Sequence, residues 1–489
     1  MKNMMSTKLS RNIFVALFIG VGLFVCDVIF AQSFAESPPS NTLIPSYAIA
    51  QNLPVYANDT SLELRVSSIE SALSMKQDKP NSKKGFTRVI DGRIYFDSYN
   101  IIDQKGSSTG LQSLNNLNDY NGLRDLRVGV KGEGFDVFDY KIDLCFIEST
   151  GQNNNNSSVN LKDIWFGVNN VPLFEYVRIG QYRVEAGVSA MTGGTNTTFF
   201  EFDGREFTSG HRIGIMSRHL WARDTIRFFA GYFYDRNINR MRFDRNDNQG
   251  SITNIRLTFL PYASRGKDGK IDGKDFVFLG GHYCYYDISK PQLSATFTER
   301  FGTLDLEPLQ PFTINTNRFN KFGLEFIYQK TAFTLQSEVY ANVYNSVNLN
   351  GTTKDRKIWG AYITAKYFLT GDYRKFSSDT ATWSAVNLKN NLDLKKINDS
   401  NYIESLGGLE VAFKWGYTDT SDFYDANIPF ATQFTGSVND LTVGLNWYWS
   451  PQARWLFDYI YVMPNQQRGT IGRDHSATNI FAAAFRYNF

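Results

Sequence analysis

From Gly85 onward, apolar and polar residues alternate with a period of two through one segment after another. Ile90, Ile94 and Phe96 fall on one side, with Asp91, Arg93 and Asp97 on the other. Leu126, Val128 and Val130 oppose Asp125, Arg127 and Lys131. Phe322, Leu324, Phe326 and Tyr328 oppose Glu325, and Leu335, Val339, Ala341 and Val343 oppose Gln336, Glu338 and Asn342. The last segment sets Phe481, Ala483, Phe485, Tyr487 and Phe489 against Ala482, Ala484, Arg486 and Asn488. This periodicity predicts strands with one apolar face. A soluble sandwich alternates too, but its strands usually run about five or six residues. These segments run roughly nine to twelve, the length that crosses a bilayer at a tilt. A sheet in lipid cannot keep open edges, so it must close. The pattern therefore predicts an all-β fold, a transmembrane antiparallel β-barrel over residues 85–489. Tyr95 and Phe96, Trp447–Trp449, Trp455, Tyr459 and Tyr461 are expected in interfacial aromatic girdles.

The connections come in two kinds. Val171–Leu173, Lys330–Ala332 and Ser450–Gln452 are tight. Residues 102–121, 184–210, 288–320, 371–407 and 417–436 are long and polar. Short periplasmic turns and long outer loops are the habit of bacterial barrels.

The first 84 residues differ. Lys2, Lys8 and Arg11 precede an apolar run from Ile13 to Val25, and Ser33-Phe34-Ala35 has the small-x-small form of a cleavage site. Residues 1–35 read as a secretory signal peptide. Residues 36–84 read as a periplasmic linker followed by a short helical segment. There Leu62, Val66, Ile69 and Leu73 repeat at heptad spacing. About two heptads are too few to hold alone in water, so a small trimeric coiled coil, a surface helix and an unstructured leader all stay open.

Composition narrows the class. Phe 40, Tyr 27 and Trp 8 accompany a mean hydropathy of -0.33. Many aromatics without long apolar runs suit a barrel in which only alternate residues touch lipid. Of 51 basic and 48 acidic residues, cleavage after Ala35 removes three and one, leaving a nearly neutral mature chain with no pull toward nucleic acid. Three cysteines, one of them in the signal, make no disulfide framework, and free thiols are expected at Cys145 and Cys284.

Several motifs bring in a family. Tyr367-Phe368-Leu369-Thr370-Gly371-Asp372-Tyr373-Arg374, Thr442-Val443-Gly444-Leu445-Asn446-Trp447-Tyr448 and Gly408-Leu409-Glu410-Val411-Ala412 follow one another in order. Gly92-Arg93-Ile94, Gly180-Gln181-Tyr182-Arg183 and Gly323-Leu324-Glu325 precede them. Together these make the region Phe86–Phe489 resemble the phosphate-selective porin O and P family. The resemblance implies a 16-stranded barrel in the bacterial outer membrane. It also implies a homotrimer that conducts small solutes or anions, phosphate among them, with no cofactor. Where that family carries a proline, this chain has Val184-Glu185-Ala186-Gly187. The loop 184–210 is expected to fold into the lumen. It carries Glu185, Glu201, Asp203, Arg205 and Glu206, and Arg212 follows it. That mixture is not a basic constriction, so the expectation is weak selectivity.

A pore selects by width and by the charges at its narrowest part. Arg178, Arg183 and Arg212 flank the expected constriction, and Arg93, Arg127, Lys131 and Lys141 join them on the polar face. Asp91, Asp97, Asp125, Asp143, Asp163, Glu325, Glu338, Glu410 and Asp458 nearly balance the cations there. Such charges either guide anions or pair across strands and brace the wall. Phe489, a terminal aromatic on an amphipathic strand, reads as a signal to the outer-membrane assembly machinery. Two further classes compete with a channel: an outer-membrane enzyme built on His282 or His211, and a structural or adhesive barrel. The four histidines lack metal-ligand spacing. The Asp244–Ile252 run lacks the closing glutamate of a calcium loop.

Overall fold

The computed structural model describes residues 85–105, 119–148, 159–202, 204, 207–222, 224–235, 250–287, 294–297, 312–349, 352–396, 405–423, 435–468, 472–474 and 477–489. The proposed signal peptide and heptad segment lie outside them, as do Asp203, Arg205, Glu206 and the Asp244–Asn248 stretch.

Sixteen strands form the wall. They are β1 Val89–Lys105, β2 Tyr120–Gly134, β3 Phe138–Glu148, β4 Asn160–Asn169, β5 Tyr176–Arg183, β6 His211–Trp221, β7 Ile226–Tyr234 and β8 Ser251–Arg265. They continue as β9 Ile271–Asp287, β10 Arg318–Lys330, β11 Phe333–Leu349, β12 Thr352–Phe368, β13 Gly408–Asp419, β14 Thr435–Tyr448, β15 Ala453–Arg468 and β16 Ala477–Asn488. Each pairs antiparallel with its neighbours in sequence, and β16 returns to β1, so the sheet closes as the apolar outer face requires. At the seam, the Phe489 amide donates to Gly92 O (3.1 Å) and the Gly92 amide to Phe489 O (3.0 Å). A Cβ at position 92 would sit 2.4 Å from Phe489 Cζ and 2.6 Å from Arg127 O, so the seam needs glycine there.

The alternation sorts the two faces. Phe96, Val128, Phe166, Ile215, Leu257, Leu324, Val339, Phe413 and Val443 are exposed on the outside. Asp125, Arg127, Arg256, Glu325, Glu338, Glu410, Arg454 and Asp458 are buried on the inside. This is a soluble core turned inside out, as a lipid-facing wall demands. Tyr95 departs from the girdle expectation. It lies on the inner side of β1, 2% exposed, with its hydroxyl 3.0 Å from Thr195 Oγ1. Tyr448 likewise points inward, to Arg374 and Arg454. Period two sends the neighbour of an outward aromatic the other way. Cys145 and Cys284 are both buried thiols, not joined in a disulfide.

The connections correct one expectation. The tight turns 135–137, 170–175, 222–225, 266–270, 331–332 and 449–452 share one end of the barrel. Because strands alternate in direction, the long segment between β12 and β13, residues 369–407, emerges at that same end. It is not an outer loop. At the opposite end, β11 and β12 are joined by residues 350–351 alone.

Candidate functional site

Among the described residues, two segments enter the barrel and shape its lumen. The first is the connection between β5 and β6, residues 184–210, which contains one helical turn, Val188–Met191. The wall holds it largely by its backbone. The Ser189 amide donates to Glu338 Oε1 (2.8 Å), and the Phe200 amide to Asp458 Oδ2 (2.6 Å). Asn446 Nδ2 donates to Thr198 O (2.9 Å). Arg124 and Arg486 each donate to Phe200 O at 3.1 Å. Lys321 Nζ reaches Thr208 O (3.0 Å).

The second is a hairpin of Tyr373–Ser377 and Thr382–Asn387, which enters from the end with the tight turns. Its base is fixed by Arg374, wholly buried, whose Nε and Nη2 donate to the two oxygens of Glu410 at 2.7 and 2.6 Å. Its tip is gripped by wall arginines. Arg227 Nη2 contacts Asp379 Oδ1 (2.6 Å), and Arg256 Nη2 donates to Ala381 O (2.9 Å). Phe376 and Trp383 pack on Phe276, with ring centroids 4.7 and 5.9 Å away. Thr192 and Thr382 hydroxyls meet at 3.0 Å, and Arg374 Nη1 donates to Asn196 O (2.7 Å), so the hairpin and the loop support each other. One half of the lumen, in front of β7–β12, is thus filled by an apolar core of Phe229, Phe233, Phe278, Tyr340 and Tyr362 with Val184, Val188 and Phe207 of the loop.

The other half is different. Arg183, in register with His211, donates to Ala190 O, and Tyr95 holds Thr195. Residues 190–195 therefore form a chord from β5 to β1, facing the arc of wall β1–β6. Gly193, in mid-chord, is exposed, and a Cβ there would meet nothing within 4 Å. Along the arc the charges form a continuous chain. Arg93 Nη2 is 2.6 Å from Asp125, and Asp125 also takes Arg127 Nε at 2.8 Å. Arg127 is 3.7 Å from Asp143, which is 3.6 Å from Lys141 Nζ. Lys141 reaches Asp163 at 2.9 Å, and Asp163 reaches His211 Nε2 at 3.4 Å. These side chains keep between 8% and 23% of their surface open.

The residues named from sequence fall into three groups. Arg93, Arg127 and Lys141 join this belt. Lys131 pairs with Asp91 (2.8 Å) and is half exposed. Arg178 stacks over Trp165, 4.1 Å from the ring centroid, and its Nε donates to the Tyr176 hydroxyl. Arg212 pairs with Asp235 (2.9 Å), and Glu201 with Arg124. Glu185 is buried 3.8 Å from Arg256 Nη1. Burial raises the Glu185 carboxyl above its ordinary range, while Arg178 and Arg256 pull the other way. Asp203 and Arg205 lie outside the described residues. Sequence reading left out Arg374 and Trp383, because the hairpin that carries them read as an outer loop. The arginine of the Tyr367–Arg374 motif was the available signal. His282 Nδ1 lies 3.3 Å from Glu325, a carboxylate already held by Arg256 at 3.0 and 2.7 Å, so this histidine belongs to the ion-pair packing. Asp268, Asp272 and Asp275 each accept a backbone amide, from Lys270, Lys274 and Thr331, as in an ordinary charged turn.

The family model described as phosphate-selective porin O and P matches residues 102–489. No curated protein matches the chain. Among solved structures, the outer membrane channel DcaP of Acinetobacter baumannii is similar, with 11% identity and a TM-score of 0.48 over 83% of this chain and 99% of that one. In-vitro folded OmpT of Vibrio cholerae in its trimer form has 10% identity and a TM-score of 0.47, over 83% of this chain and 100% of that one. An anion-selective porin from Comamonas acidovorans has 12% identity and a TM-score of 0.45, over 83% and 100%.

Proposed function

The chain belongs to the phosphate-selective porin O and P family, outer-membrane β-barrel porins, and from that premise we propose weakly selective passive diffusion of small hydrophilic solutes, without catalysis. The observation that carries the weak selectivity is the compensation of charge at the constriction. Arg93, Arg127 and Lys141 face Asp125, Asp143 and Asp163, each cation within 4 Å of a carboxylate. Along this belt an anion meets a carboxylate beside each of these three cations, and selectivity follows the charges at the narrowest part. The wall arginines that could have formed a basic row instead donate to loop carbonyls. Arg178, Arg183 and Arg212 border the passage with the belt. Asp203 and Arg205 belong to the same loop. Phe489 closes the seam and serves as the assembly signal. The chain assembles as a homotrimer, a reading that rests on the family resemblance.

Planar-bilayer recording across a KCl gradient tests the selectivity. The expected result is a reversal potential close to zero. A strongly anion-selective current that phosphate blocks at micromolar concentration would overturn the reading. Cross-linking of the purified protein in detergent tests the trimer, and a product no larger than a monomer would refute it.

A further inference from the structure

The belt from Arg93 to His211 has a property beyond neutrality. Opposite charges alternate along it at contacts of 2.6 to 3.7 Å, and every member keeps some surface open to the lumen. A simple ion finds one attractive and one repulsive neighbour at each point. A solute that carries an ammonium and a carboxylate a few ångströms apart can satisfy both at once. Its carboxylate can share Lys141 while its ammonium shares Asp163, and it can move to the next pair by exchanging one contact at a time. The chord opposite offers no competing charge: Gly193 is bare, and Thr192 and Thr195 present only hydroxyls, both already engaged. We infer that the arc is a track for small zwitterions of the amino-acid type, and that it passes them faster than neutral solutes of the same size. This rests on the diffusion reading above and names its substrate class.

The partners keep only a small part of their surface open and already hold one another, so a zwitterion that exchanges one contact for another gains only a modest net amount. Below saturation, flux follows partition into the passage. One exchanged pair then corresponds to a preference of about threefold. Liposome swelling on the full chain, with glycine against its neutral isomer glycolamide, measures this ratio directly. The expected ratio is about three for the natural sequence. The double substitution Lys141→Met with Asp163→Asn keeps the belt balanced, since Arg93, Arg127, Asp125 and Asp143 remain. It removes one exchangeable pair and should lower the ratio toward one, and so should Arg93→Met with Asp125→Asn at the other end. Migration of unboiled protein reports that each variant is folded, and a variant that fails this check leaves the other to decide. Equal rates for the two solutes in the natural sequence, or a ratio that survives in the folded variants, would overturn the inference. Failure of glycolamide itself to enter would instead overturn the diffusion reading, and this inference with it.

Discussion

Replacing Arg374 by methionine should release the lumenal hairpin while leaving the barrel closed. Arg374 is fully buried and makes two donations to Glu410, one to the Tyr448 hydroxyl (2.8 Å) and one to Asn196 O. Without it, Glu410 keeps only Asn446 Nδ2 at 3.1 Å and the Tyr448 hydroxyl at 3.4 Å among these contacts, neither of them a cation. Stripping one partner from a buried, hydrogen-bonded ion pair costs about 3–5 kcal/mol. That is a shift of roughly a hundred- to five-thousandfold in the ratio of docked to released hairpin. The cost falls on the hairpin and on residue 196 of the loop, because the sixteen strands are held by their own ladder. Proteins open first where local stability is lowest. Single-channel recording should therefore show added conductance levels and noise in Arg374→Met, with membrane insertion retained. Arg374→Met combined with Glu410→Gln removes both charges and should restore much of the quiet trace. An unchanged trace in the single variant, or a double variant as disturbed as the single, would refute the reasoning.

Three further outcomes follow from named contacts. Gly92→Leu must push aside the Phe489 ring and a backbone carbonyl, at a cost of about 1–3 kcal/mol. The folded fraction on unboiled gels should fall, and a yield equal to the natural sequence would show that the seam can relax. Gly193→Trp meets open space, so its urea midpoint should stay put while single-channel conductance drops; undiminished conductance would place the passage elsewhere. Glu185 has a raised carboxyl, so its neutral form is favoured in the fold, and any stability it contributes is present at low pH and lost as pH rises through its pKa. As pH falls from neutral, Glu185 takes up its proton before an exposed glutamate does, leaving Arg178 and Arg256 less compensated. Reversal potentials should drift toward anion preference, and Glu185→Gln should remove the early part of that drift.

Much of the wall was legible because a strand in lipid has no freedom in which face it shows. Ile90, Leu126 and Phe322 declare the outside, and Arg93, Arg127 and Glu325 the inside, from period two alone. The same rule would have turned Tyr95 inward, had its position one residue from Phe96 been weighed above its aromaticity. What the pattern could not give is which inward charges meet. Arg256 reaches across β9 to Glu325 on β10, and Arg374 comes from a connection to meet Glu410 on β13. Those pairings depend on depth and curvature, not on parity. The segment 371–407 was misplaced for a related reason. Length and polarity resemble those of an outer loop, while its true end follows only from counting every strand before it. The filling of half the lumen by Phe376, Trp383 and Phe207 was equally hidden, since apolar residues in a long connection carry no periodic signature.

That filled half bears on attempts to widen the passage. Cutting out the hairpin 373–387 would enlarge the geometric bore, yet it would uncover Phe276 and Phe278, both 1% exposed now. An oily surface in a narrow aqueous duct sheds water, and a dewetted stretch stops ions as firmly as a wall does. Enlargement by deletion would thus yield a broader but drier bore, and an engineer seeking throughput would have to replace those rings with polar side chains in the same step.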